Sequence, residues 1–107
     1  MRRLSARALR EHLDRVPAPL LLLDVREPWE YEIVHIPGSH LCPLAQLPER
    51  AKALDPRAEI VLICHHGIRS RQAGLWLEHL GFSRLINLEG GIDAWARQVD
   101  PSLTLYG

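Results

Sequence analysis

The chain has 107 residues, 47% of them hydrophobic and 24% charged, and its 13 basic and 13 acidic side chains give a formal net charge of zero. One domain of this length buries a real core without disulfides or a metal, and the balanced charge argues against nucleic acid or an anionic membrane as the main partner. Two cysteines, no signal-like apolar stretch after Met1 and no run of roughly eighteen apolar residues lead us to expect a soluble, cytoplasmic protein with free thiols. We expect a single domain over 1–107, with its core at about 16–100.

Ser5 is a plausible N-cap for a surface helix through Val16, because Leu9, Leu13 and Val16 fall on one stripe and Pro17 and Pro19 follow. Arg2, Arg3, Arg7, Arg10 and Arg15 make this end basic, but Glu11 and Asp14 dilute the charge, and the pattern reads as a solvated helix face. Leu20 to Leu23 is an unbroken aliphatic run, as in a strand buried on both faces of a parallel sheet, and it ends at Asp24. Pro28 suits the first position of a short helix through Val34, with Trp29 and Ile33 available to pack. His35-Ile36-Pro37-Gly38 breaks that helix, and His35 is expected to order the turn. Ser39 to Cys42 is a weaker strand, with Cys42 a packed small side chain rather than a resolving thiol. Leu44, Leu47, Ala51 and Leu54 mark a further helix beginning near Pro48 and closed by Asp55-Pro56.

The most informative stretch joins a strand, Ile60-Val61-Leu62-Ile63, through Cys64-His65-His66-Gly67-Ile68-Arg69-Ser70 to a helix whose buried stripe should be Ala73, Trp76, Leu77 and Leu80, with Gly81 as its stop. A thiol thus sits at a helix N-terminus, where unpaired N–H groups and the positive dipole end favour an anion, whether bound oxyanion or thiolate. Arg84 to Leu88 reads as another strand, followed by Glu89-Gly90-Gly91 and a last helical stripe of Ile92, Trp95, Ala96 and Val99. Alternation of this kind predicts an α/β fold with a parallel sheet and helices on both faces. Ligands gather at the carboxyl ends of such strands, where Asp24, Cys64 and Glu89 all lie.

Four motifs together carry a family resemblance. Leu-Leu-Asp-Val-Arg-Glu-Pro at 22–28, the Tyr-x-x-x-His-Ile-Pro-Gly stretch ending at Gly38, the Cys64 loop, and Glu-Gly-Gly-Ile-x-x-Trp at 89–95 resemble a single-domain rhodanese over nearly the whole chain. The resemblance implies a sheet of about five strands and sulfur transfer by Cys64 from thiosulfate or a related anion to cyanide, a thiol or a partner protein, through a cysteine persulfide. The loop residues His65, His66, Gly67, Ile68, Arg69 and Ser70 would then receive the donor. Their backbone N–H groups would cradle the persulfide, and the planar fork of Arg69 would hold an oxyanion. Gly67 can adopt the positive φ of a tight cradle. Arg71 is either a second positive group or a solvated position, and Ser70 is by default a helix cap, with its hydroxyl reaching the persulfide as the alternative.

His65 and His66 can tune the thiolate or hand over protons, or can equally point to solvent. A metal built from Cys64, His65 and His66 is geometrically awkward, and neither metal nor cofactor is expected. Asp24 reads as an acceptor holding backbone, with Arg26 its counter-charge, since a carboxylate beside Cys64 would oppose the thiolate. A persulfide relay to a partner protein and a non-catalytic binding module on the same fold remain alternatives. Further off are a cysteine-dependent phosphatase and an arsenate reductase. Phosphatases carry five residues between cysteine and arginine whereas Cys64 and Arg69 enclose four, which favours sulfur over phosphate chemistry.

Overall fold

The computed structural model describes residues 1–16 and 20–107. Five strands, β1 (Arg2–Leu4), β2 (Leu20–Asp24), β3 (His40–Leu41), β4 (Glu59–Ile63) and β5 (Leu85–Leu88), form one sheet in the order β1-β5-β4-β2-β3. Every pairing is parallel. Helices α1 (Ala6–Arg15), α2 (Pro28–Ile33), α3 (Leu47–Ala51) and α4 (Ile68–His79) lie in the connections between strands and α5 (Gly91–Gln98) follows β5, which is the α/β architecture expected of alternating strands and helices. No helix among the described residues is long and apolar enough to cross a membrane.

The central strand explains how the two layers are held. Successive side chains of a strand point to opposite faces, so Ile60 and Leu62 of β4 join Leu23, Leu47, Ala73 and Leu77 on one face. Val61 and Ile63 join Leu9, Ile86, Ile92 and Trp95 on the other. A strand segment buried on both faces must be apolar, and β4 is apolar from Ile60 to Ile63, with Glu59 at its less buried start. Its end is therefore firmly fixed, and Cys64 is the next residue.

Several local expectations shift. β1 was not legible: three residues with two arginines read as a charged N-terminus, yet they pair with Ile86, Asn87 and Leu88 as an edge strand, where one-sided exposure tolerates charge. Ser5 caps α1 as expected, its Oγ accepting from Ala8 N–H at 3.1 Å, while the roles of Pro17 and Pro19 fall outside the described residues. The strand at 39–42 narrows to His40–Leu41, and the helix expected near Pro48 is a 3-10 turn over Leu44–Gln46 running into α3, which stops at Ala51. The buried stripe of α4 is Ser70, Ala73, Gly74 and Leu77, so Trp76 and Leu80, both expected in it, are exposed. Trp76 instead lines a shallow apolar groove with Leu44, Leu47 and Pro48. Small residues own the inner stripe because α4 lies close in: a Cβ on Gly74 would overlap the Met1 side chain and crowd Leu62 at 3.1 Å. Trp29 and Ile33, expected to pack, face outward, and the buried residue of α2 is Glu30.

Candidate active site

The loop from Cys64 to Gly67 turns back so that the Gly67 N–H donates to Cys64 Sγ at 3.0 Å. Gly67 is the N-cap of α4 with φ +101°, where a Cβ would crowd Leu88 O and Gly90 N at 3.3 Å, so glycine is required both for conformation and for space. The Ser70 hydroxyl lies 3.3 Å from Sγ and donates to Asn87 Oδ1. Asn87 Nδ2 in turn donates to Gly67 O at 3.2 Å. Ser70 is thus inside the first helical turn and faces the sulfur instead of capping the helix.

The other wall is the start of α5. Ile92 N–H donates to Cys64 O at 2.8 Å and Asp93 N–H to His65 O at 3.2 Å. A Cβ on Gly91, whose φ is +62°, would stand 2.3 Å from His65 O. The α5 terminus thereby takes the Cys64 and His65 carbonyls, and the α4 terminus faces the sulfur. This division of polar groups is what an anion cradle needs, because an inward carbonyl would repel the charge that the N–H groups attract.

Arg69 does not stand free. Its Nη1 and Nη2 donate to Glu30 Oε1 and Oε2 at 2.6 and 2.8 Å, a bidentate pair. Glu30 also accepts from Glu27 N–H at 3.1 Å and from the Tyr106 hydroxyl at 2.7 Å. Hydrogen bonding from Arg69, against the opposing effect of burial, lowers the Glu30 carboxyl to about 2, and the same hydrogen bond raises Arg69 above the ordinary arginine range. Tyr106 bridges this pair to a second one. Its hydroxyl accepts from Arg26 Nη1 at 2.9 Å, while Arg26 Nε and Nη2 hold Asp24 Oδ1 and Oδ2 at 2.9 and 2.7 Å and the Arg26 backbone N–H reaches Oδ1 at 3.1 Å. Asp24 and Arg26 are both fully buried.

Tyr106 also stacks on His65, with ring centroids 4.0 Å apart and planes 8° from parallel. His65 Nε2 lies 2.9 Å from Tyr106 O; a carbonyl only accepts, so Nε2 carries the proton. Burial, with the neighbouring His66, lowers the His65 pKa, which leaves a neutral ring at neutral pH with Nδ1 unprotonated. His66 and Ile68 are exposed. Cys42 is fully buried, and burial pushes its thiol pKa up, so it has the character of a packing residue. Among the described residues His65, His66 and Asp93 bring ligand-type atoms within 4.8 Å of one another, but Asp93 is paired with Arg97 at 3.0 Å and His65 Nε2 with Tyr106 O.

The family model for the rhodanese-like domain matches residues 5–98. The chain belongs to that family. It is 39% identical to a probable adenylyltransferase/sulfurtransferase MoeZ of Mycobacterium tuberculosis, over 96% of this chain but only 26% of that protein. It is 37% identical to a putative sulfur carrier protein YrkF of Bacillus subtilis, over 91% of this chain and 52% of YrkF. The chain therefore spans about a quarter of the first of these relatives and half of the second. A thiosulfate sulfurtransferase GlpE of Pseudomonas fluorescens is comparable in length, 33% identical over 96% of this chain and 88% of its own. A rhodanese-like domain protein from Staphylococcus aureus superposes with a TM-score of 0.83 at 26% identity, covering 100% of both chains.

Within this rhodanese-like domain, Glu30, Asn87 and Tyr106 are the residues that sequence reading missed. Asn87 carried a signal, being the one polar residue inside the apolar run of β5. Glu30 carried none, because the apolar Trp29 and Ile33 drew the expected packing of that short helix to themselves. Tyr106 had none, since it lies beyond the matched residues and reaches Glu30 across 76 positions.

Proposed function

We propose that the protein is a sulfurtransferase working through a Cys64 persulfide, with no cofactor. The Cys64 thiolate attacks the outer, sulfane sulfur of a donor such as thiosulfate; a Cys64 Sγ–sulfane bond forms as the donor's S–S bond breaks, and sulfite leaves with the bonding electron pair. A thiophilic acceptor, cyanide, a thiol or a partner protein, then attacks that sulfane sulfur and Cys64 leaves as thiolate. The observation that carries this reading is the Gly67 N–H aimed at Sγ from 3.0 Å at the start of α4, in a loop whose Cys64 and His65 carbonyls are turned onto α5. Such a cradle stabilises a sulfur anion at either end of the cycle.

Mass spectrometry of the intact protein tests it. Thiosulfate should add one sulfur, cyanide should remove it, and Cys64→Ser should abolish the adduct while leaving the fold intact. An adduct that survived in the variant would move the chemistry to Cys42 or elsewhere.

A relay to a protein acceptor is the second reading, favoured by the surface around the loop. Ile68 is 71% exposed and Trp29, which meets Tyr106 edge-on at 6.2 Å, is 59% exposed. Exposed apolar side chains beside a reactive group suit a protein acceptor better than a small ion, and the sulfurtransferase and sulfur-carrier names of longer relatives fit the same role.

A further inference from the structure

Resting on the sulfurtransferase reading, the charge around the loop narrows the donor. Thiosulfate brings two negative charges to the Cys64 thiolate, so three must be gathered as the new S–S bond forms. An alkyl persulfide anion brings one, and only two are gathered. The balanced steps are thiolate plus thiosulfate giving enzyme persulfide anion plus sulfite, and thiolate plus alkyl persulfide anion giving the same enzyme persulfide plus an alkyl thiolate. A site suited to the first should present uncompensated positive charge.

This site does not present it at Arg69, whose fork is closed by both Glu30 oxygens. Glu30 is held on the guanidinium by two further donors, the Glu27 N–H and the Tyr106 hydroxyl, and is itself almost fully buried. The second arginine beside the loop, Arg26, is fully committed: to Asp24, to Tyr106 and to the Val34 carbonyl at 2.7 Å. Each arginine thus carries its own carboxylate, and the backbone dipoles of the cradle are left to face the donor.

We propose that Glu30, latched by Tyr106, is the specificity-determining residue of this domain: by closing the Arg69 fork it disfavours the thiosulfate dianion and selects donors of lower charge, alkyl or protein persulfides. Tyr106 is a positioning residue in this scheme, acting on the donor only through Glu30. Its ring on His65 leaves the hydroxyl free to bridge Arg26 and Glu30, so Tyr106→Phe removes the latch and keeps the stack.

The test follows single-turnover loading of Cys64 by mass, with thiosulfate and with ethyl persulfide as the two donors, over a range of concentrations. In Glu30→Gln the amide nitrogen cannot accept from the guanidinium, so one arm of the fork opens. The ratio of second-order loading constants, thiosulfate over ethyl persulfide, should rise about tenfold, through a lower half-saturating thiosulfate concentration and not through the limiting rate. Tyr106→Phe should move the same ratio in the same direction by about twofold to threefold, and it decides the question alone should Glu30→Gln fail to fold. A merely structural role for Glu30 would slow both donors together and leave their ratio where it was. An unchanged or lower ratio in the variants, with both donors loading the wild-type protein, overturns the donor assignment and leaves the sulfurtransferase reading standing. Loading by neither donor overturns both. Arg71, exposed two positions beyond Arg69 along α4, supplies one more check: a large loss of thiosulfate loading in Arg71→Ala would show that another cation serves the dianion, and the selection assigned to Glu30 would fall.

Discussion

Two glycines that share a left-handed backbone have unequal tasks at the scale of single residues. Gly38 has φ +86° with nothing within 4 Å of where a Cβ would stand, whereas Gly91 has φ +62° and a Cβ there would meet His65 O at 2.3 Å and Cys64 O at 2.5 Å. Gly38→Ala should therefore cost only the left-handed strain of an L-residue, about 1 kcal/mol. Gly91→Ala should cost at least twice that, because the atoms it strikes are backbone fixed by the Ile92 and Asp93 hydrogen bonds. Urea unfolding of the two variants measures the difference. Gly91→Ala should also slow sulfur loading of Cys64, since any relief of the clash must push the loop carbonyls toward the sulfur. Equal stability losses would mean that the α5 terminus does not brace the loop.

Among the elements, the junction of β4 and α4 sets the chemistry by its length. Four residues separate Cys64 from Arg69, and within that span the chain must both return the Gly67 N–H to Sγ at 3.0 Å and deliver Arg69 to Glu30. One residue inserted after Gly67 cannot satisfy both. Loading from thiosulfate should fall about a hundredfold, the loss expected when an anion-stabilising donor is displaced, and the widened loop should be the variant in which any aryl phosphatase activity arises. The wild-type protein should have none; hydrolysis of an aryl phosphate as fast as thiosulfate turnover would remove loop length as the discriminator. This junction was legible in the sequence because an apolar strand, a thiol, a glycine and a helical period follow one another locally. The stripe of α4 was read correctly at Ala73 and Leu77 and wrongly at Trp76 and Leu80, which look more buried than Ser70 and Gly74, although close approach to the sheet selects the small residues. β1 was hidden by its arginines. Glu30 and Tyr106 stayed illegible for another reason: their pairing with Arg69 and Arg26 is made across the fold, and no local period records it.

The two arginine–carboxylate pairs tie the end of β2, helix α2, the start of α4 and Tyr106 into one buried network, so its protonation should be felt by the whole molecule. The Glu30 carboxyl lies at about 2 in the folded chain against an ordinary value of 4.5. A depressed folded value means that the ionised form is preferred by the native state. Its contribution is complete above about pH 4.5 and is lost as pH falls from there through about 2. Its magnitude is roughly 3 kcal/mol, taken for a carboxylate that is almost entirely buried. Tyr106 bounds the other side. Burial is the main cause that lifts it to about 12 from 10.0, aided by its donation to Glu30 and opposed by Arg26. Its contribution is present below pH 10 and declines as pH rises toward 12. Chemical unfolding of wild type and Glu30→Gln should therefore show a stability gap of a few kcal/mol near neutrality that closes between about pH 4.5 and 2. Tyr106→Phe should flatten the alkaline limb without altering the acid one as strongly. A gap between wild type and Glu30→Gln that stayed constant down to pH 2 would show that Glu30 acts by shape and not by charge. The electrostatic argument for its hold on Arg69, and with it the preference for low-charge donors, would then lose its basis.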